Sequence, residues 1–229
     1  IYKTSDGGQT WKKLTNGFPS GPYIGRIGLS IAPNNSNIIY ALVDNQTPIK
    51  AKNSEKSRKK IIGGEIYKSF DKGETWAKVS QDLSFVGINY AFGDIRVSPD
   101  EENEIYVCGV NLAVSHDGGK TFHKVGGKVI HLHHHPTRAL HLDQHDLWIS
   151  PEDPNRLLLG NDGGLYLSDD RGKTWLHLNN LPIGEFYAVS VDNNVPYRIY
   201  GGTQDNAALY GLAEQELDPV IDDSWHQIW

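Results

Sequence analysis

Apolar residues in this chain come in short runs that are broken every few positions by Gly, Asn, Asp or Pro. That punctuation predicts short β-strands joined by tight turns. Four runs, Ile1-Tyr2, Glu65-Ile66-Tyr67, Leu112-Ala113-Val114 and Leu165-Tyr166-Leu167, each lead into one pattern, S/T-x-D-x-G-x-T-W/F, and a further strand follows. The copies run Thr4 to Trp11, Ser69 to Trp76, Ser115 to Phe122 and Ser168 to Trp175. Each reads as the turn of a β-hairpin. The carboxylates of Asp6, Asp71, Asp117 and Asp170 can accept from loop amides, and Gly supplies the positive φ a tight loop needs. Trp11, Trp76, Phe122 and Trp175 are then expected to drop into the core beside the next strand.

A second repeat marks strand, Pro/Asn/Asp-rich turn, strand. Ile31-Ala32-Pro33 through Tyr40 matches Val97-Ser98-Pro99 through Tyr106 and Ile149-Ser150-Pro151 through Leu158, with Val191 to Tyr200 as a looser copy. The four turn aspartates are spaced 65, 46 and 53 residues apart. A unit of about 45 to 50 residues with four short strands is one blade of a β-propeller. The expected fold is therefore all-β: four-stranded antiparallel blades with Asp-box turns, as an incomplete segment of a seven-bladed propeller. The boundaries read as a half blade at 1–14, blades at 24–79, 90–125, 141–178 and 186–229, and an insertion at 44–60. The chain contains no Met. The expectation is that the remaining blades, or a second propeller, lie elsewhere in a parent chain.

Composition narrows the partners more than the fold. Net charge is −6 with mixed signs, which gives no global case for nucleic acid, and no apolar run reaches the ~18 residues of a membrane span. Cys108 is the one cysteine, so no internal disulfide forms. The 44–60 insertion carries Lys50, Lys52, Lys56, Arg58, Lys59 and Lys60. It reads as a solvated loop, with an anion or polysaccharide contact as the other reading, since no aromatic is interleaved to stack on a base or sugar.

Candidate chemistry gathers around the fourth blade. If 141–145 is an extended strand, His141, Asp143 and His145 share one face. They form only a weak candidate metal set, because successive same-face side chains stand about 6.5 to 7 Å apart. No metal or cofactor is expected. The preferred reading is a polar patch in which Asp143 or Asp146 orients a neighbouring His. Gly160-Asn161-Asp162-Gly163-Gly164 and Gly202-Thr203-Gln204-Asp205-Asn206 occupy similar stages of successive blades. Asp162, Asp205 and Asp143 are thus expected near one mouth, as the carboxylates a glycosidase uses. Asp or Asn beside Gly is equally well a backbone cap. Trp148, Tyr187, Trp225 and Tyr90 could offer sugar-stacking faces or serve as core between blades.

In its Asp-boxes, His141-x-Asp143-x-His145-x-x-Trp148, Asn161-Asp162-Gly163-Gly164 and Thr203-Gln204-Asp205-Asn206, the chain resembles the Asp-box (BNR repeat) propellers of the xyloglucanase-like and sortilin-type superfamily. The resemblance covers nearly the whole chain. Asp162-Gly163-Gly164-Leu165-Tyr166 is similar, offset by one residue, to an element that carries a catalytic aspartate in xyloglucanases. The resemblance implies a secreted or periplasmic bacterial protein acting on or binding extracellular glycans. In that reading Asp162, Asp205 and Asp143 are catalytic, and His141, His145, Asp146, Trp148, Asn161, Gln204, Asn206 and Tyr187 bind ligand. The alternative it implies is a non-catalytic, sortilin-like propeller that holds peptide or protein ligands.

Overall fold

A computed structural model describes residues 1–49, 61–80, 83, 86–89, 91–131, 139–178, 184–205, 207–213 and 225–228. Among them every regular element is a strand. In chain order these are β1 (Tyr2–Lys3), β2 (Lys12–Lys13), β3 (Ile24–Ile31), β4 (Ile39–Pro48), β5 (Ile61–Ser69), β6 (Ala77–Lys78), β7 (Asp94–Val97), β8 (Ile105–Cys108), β9 (Leu112–Ser115) and β10 (His123–Lys124). They continue as β11 (Lys128–His131), β12 (Gln144–Ile149), β13 (Leu157–Asn161), β14 (Gly164–Ser168), β15 (Thr174–His177), β16 (Phe186–Val191), β17 (Arg198–Thr203), β18 (Ala208–Leu212) and β19 (Trp225–Ile228). The described residues contain no helix long and apolar enough to cross a membrane.

The chain divides into two compact units, Ile1–Asn179 and Asn180–Trp229. The first holds the β1-β2 hairpin and the meander sheets β3-β4-β5-β6 and β7-β8-β9-β10, and a fifth strand joins β12-β13-β14-β15. The second unit holds one antiparallel sheet, β16-β17-β18-β19. Successive four-stranded meanders, each closed by an Asp-box hairpin in the first unit, are the blades of a propeller-type all-β fold. Blade four differs from the four-strand expectation. β11 adds to its outer edge, parallel to β15, with Val129 opposite Trp175 and His131 opposite His177. Of the expected insertion, Asp44–Pro48 continues β4, and 50–60 lies outside the described residues.

Why strands in blade two read as continuous apolar runs is visible in β4. Tyr40 and Leu42 point to one side and join Ile66, Ile95 and Val107; Ala41 and Val43 point to the other and join Tyr67 and Trp76. Alternate side chains face opposite sides of a sheet, so a blade covered on both sides needs apolar residues at every position. Blades two and three come close at Gly28, where an added Cβ would stand 2.5 Å from the Gly93 carbonyl oxygen of blade three.

The Asp-box turns share one geometry. In blade four Ser168 Oγ donates to Asp170 Oδ1 (2.8 Å), the Thr174 amide donates to the same oxygen (2.8 Å), and Thr174 Oγ1 donates to Oδ2 (2.6 Å). The Gly172 amide donates to Ser168 Oγ (2.8 Å), and Trp175 Nε1 donates to the Gly172 carbonyl (3.0 Å). The residue after the aspartate is also left-handed, not only the following glycine: Lys72 and Arg171 stand at φ 59° and 58°. Trp76 and Trp175 are buried and Phe122 packs against the core, as expected, but Trp11 is 59% exposed.

Arg171 converts its turn into a clasp between blades. Its guanidinium reaches the buried Glu104 (Nη1–Oε1 2.8 Å) and Asp100 on blade three, and Nε donates to Asn155 (3.2 Å).

Candidate functional site

In the first unit β7 and β12 lie side by side, and their starting ends with the adjoining loops are termed the mouth. Pairing of β12 with β13 sets Gln144 opposite Asn161 and Asp146 opposite Gly160, which leaves His145 as a bulge. A bulge re-aims its side chain. The His145 imidazole therefore turns to the β13–β14 turn, and its Nε2–H donates to Asp162 Oδ1 at 2.6 Å. The imidazole is 52% exposed and the Asp162 side chain 21%. Phe92, in the loop before β7, meets the same imidazole edge to face, with ring centres 5.2 Å apart and planes at 61°.

One strand over, Arg96 of β7 spans the two blades. Nη1 meets Asp94 Oδ1 at 2.6 Å and Nη2 meets Asp146 Oδ1 at 2.7 Å. Burial is the largest influence on the Asp94 carboxyl and pushes its pKa up, against the opposing pull of the Arg96 guanidinium. Arg26, on β3, is exposed and its Nη1 donates to the Ala91 carbonyl at 2.8 Å. The Cys108 thiol behind Asp94 is fully buried, and burial raises its pKa far above the ordinary value. It is an inert core group.

The turn beneath His145 is held by buried amides. Asn161 Nδ2 donates to Gln144 Oε1 (3.1 Å) and to the His141 carbonyl (3.3 Å), while Asn161 Oδ1 accepts from the Gly163 amide (2.9 Å). Gln144 Nε2 donates to the His141 carbonyl at 2.6 Å. Asn161 and Gln144 are framework here, placed below the mouth.

Several expectations change. His141, Asp143 and His145 do not share a strand face: β12 starts at Gln144, Asp143 stands at φ 64°, and His145 is bulged. The Asp143 amide instead donates to the Val110 carbonyl (2.9 Å), which ties blade four to blade three. His141 Nδ1 lies 3.2 Å from the Leu142 carbonyl. Among the described residues no three His, Cys, Asp or Glu converge as a metal site. His145 is oriented by Asp162, and Asp146 meets Arg96.

Asp205 belongs to the second unit, where Phe186 pairs with Thr203 and Tyr187 is the bulged residue. This register matches Gln204, rather than Asp205, to Asp162. The pair is repeated with different chemistry, since the Tyr187 hydroxyl donates to Gln204 Oε1. Tyr187 is 67% exposed and Trp148, in the first unit, 51%. Tyr90, Asn206 and the side chain of Trp225 lie outside what is described. Arg96 and Phe92 entered no sequence-based site, because their roles come from contacts between blades that no local motif signals.

No protein-family model matches the chain, and no curated protein matches it. Solved structures do. One is YCF48 bound to D1 peptide, at 14% identity and TM-score 0.47, covering 99% of this chain and 60% of that one. An ancestral GH74 enzyme matches at 13% identity and TM-score 0.48, covering 100% of this chain and 35% of its own. YCF48 from Cyanidioschyzon merolae matches at 16% and 0.46, covering 91% and 57%. The chain thus spans about 60% or less of the length of these three proteins. At this level of similarity they carry no argument about ligand or activity, and the fold rests on the chain's own sheets.

Proposed function

We propose that the first unit is a non-catalytic binding propeller whose mouth, at Phe92, Arg96, His145, Asp146 and Asp162, receives an extended peptide segment of a partner. The observation that carries this reading is the pairing of its carboxylates. Asp162 holds His145, and Asp94 and Asp146 share Arg96. Glycoside hydrolysis asks for two carboxyls facing each other across the scissile bond, about 5 to 5.5 Å or 6.5 to 9.5 Å apart, one of them free to give a proton. Carboxylates already engaged by an imidazole N–H or a guanidinium suit recognition instead. A peptide's amides and charged ends can exchange with one partner of such a pair, at the rim beside an aromatic edge.

A second reading, glycan binding, is favoured by one feature: the exposed Trp148 next but one to Asp146 on β12. An indole face with a nearby carboxylate suits a sugar ring as well as a peptide side chain.

The test compares the unaltered chain with Asp162→Ala on a peptide array, a glycan panel and a β-glucan hydrolysis assay. The proposal expects peptide binding that weakens at least about tenfold in the variant, the loss of roughly 1.4 kcal/mol. Retention on the glycan panel alone moves the assignment to the second reading. Reducing ends that appear with the unaltered chain and vanish with Asp162→Ala overturn both in favour of hydrolysis.

A further inference from the structure

Asp162 sits in a turn that two neighbours fix from opposite sides. On one side the buried Asn161 holds the Gly163 amide. On the other, Nε2 of His177, on β15, lies 3.0 Å from the Gly163 carbonyl. A carbonyl oxygen can only accept, so Nε2 of His177 carries the proton. The ring that delivers this bond is itself fixed, stacked on Tyr166 with centres 4.5 Å apart and planes at 12°. There is no slack at the glycine: an added Cβ at Gly163 would stand 2.5 Å from the His141 Cβ and 2.9 Å from the Tyr166 hydroxyl. Both backbone polar groups of Gly163 are thus spoken for by side chains of the same blade.

Blade five closes its equivalent turn by another route. There the Thr203 amide and Oγ1 both bond the Ala207 carbonyl, at 3.0 and 2.7 Å.

We infer that His177 is a positioning residue for the mouth: by holding the Gly163 carbonyl it fixes the turn that presents Asp162 to His145. A hydrogen bond as short as 2.6 Å is sensitive to displacement of either partner, and a turn free to swing about Asn161 would let the carboxylate rotate into water. This inference rests on the reading of the His145–Asp162 pair as part of the binding site. Its test needs no ligand, so its failure and the failure of that reading are seen separately.

The measurement is imidazole N–H exchange in ¹H–¹⁵N spectra of the intact chain, with the His145 signal assigned through His145→Gln. In the unaltered chain the Nε2–H protons of His145 and His177 are both expected to be protected. His177→Phe keeps a ring to stack on Tyr166 but has no donor. It is expected to speed exchange at His145 at least about tenfold while the backbone spectrum elsewhere is unchanged. His177→Gln restores an N–H at similar reach and is expected to restore protection. Should His177→Phe not fold, His177→Met, which fills space without donating, takes its place. Unchanged His145 protection in a folded variant lacking the donor overturns the role. So does equal loss of protection in His177→Gln, or an unprotected His177 Nε2–H in the unaltered chain.

Discussion

Replacing Asp170 by alanine separates what builds the blade from what works at its mouth. The change removes three acceptor contacts at once: the Thr174 amide and Ser168 Oγ on Oδ1, and Thr174 Oγ1 on Oδ2. Each is worth about 0.5–1.5 kcal/mol net, and because Thr174 is exposed its freed donors regain water. The low half of that range gives roughly 1.5–3 kcal/mol for the set. For a unit of this size 1 kcal/mol moves the melting temperature by roughly 2–4 °C, so the expected drop is about 3–12 °C. Urea unfolding followed by tryptophan fluorescence reports it well, because Trp175 is fully buried beside the turn. Asp170→Asn keeps an acceptor for the amide and should lose about half as much. Asp162→Ala is the contrast, since it removes one part-exposed hydrogen bond to His145, worth about 0.5–1.5 kcal/mol net. A loss below about 0.5 kcal/mol in Asp170→Ala would refute the view that this carboxylate organises the hairpin.

Two further outcomes follow from the same geometry. The Thr75 hydroxyl first, and then the Thr75 amide, hold the Asp71 carboxyl down to about 2 from the ordinary 3.8. A depressed folded-state value stabilises above the unfolded value and is lost as pH falls through the folded one. The melting gap between the unaltered chain and Asp71→Asn should therefore shrink from about pH 4 to about pH 2, and a constant gap contradicts it. Arg171→Ala leaves the buried Glu104 with only Tyr106 Oη (3.2 Å) and His116 Nδ1 (3.0 Å). Removing one partner of a buried pair costs about 3–5 kcal/mol; with those two contacts retained, roughly 1–3 kcal/mol is expected in urea unfolding, and no measurable change refutes the clasp.

The blades were legible because their signals are local. Asp170, its Thr174 donor and Trp175 lie within one turn, so the motif alone specifies the hairpin. The repeated Pro99 and Pro151 turns likewise place the strands on either side of them. What was not legible depends on pairing between distant segments. Lys128–His131 has nothing in its own sequence to announce a parallel partner in β15. The alternation rule places His141, Asp143 and His145 on one face, but β12 starts only at Gln144, Asp143 is left-handed and His145 is bulged. The glycine-rich turns alone align Asp162 with Asp205, whereas strand register aligns it with Gln204. Arg96 had no motif at all. Its place follows from two blades meeting, with Asp94 on its own strand and Asp146 on the next.

The most direct test of the binding mouth is amide chemical-shift mapping of the intact chain with a peptide selected from the array. The account predicts that the largest perturbations cluster at Phe92, Arg96, His145, Asp146 and Asp162, and that they disappear in Asp162→Ala while the Asp-box resonances stay in place. Perturbations confined to the Asp-box turns, or a peptide that binds Asp162→Ala with unaltered affinity, would contradict it.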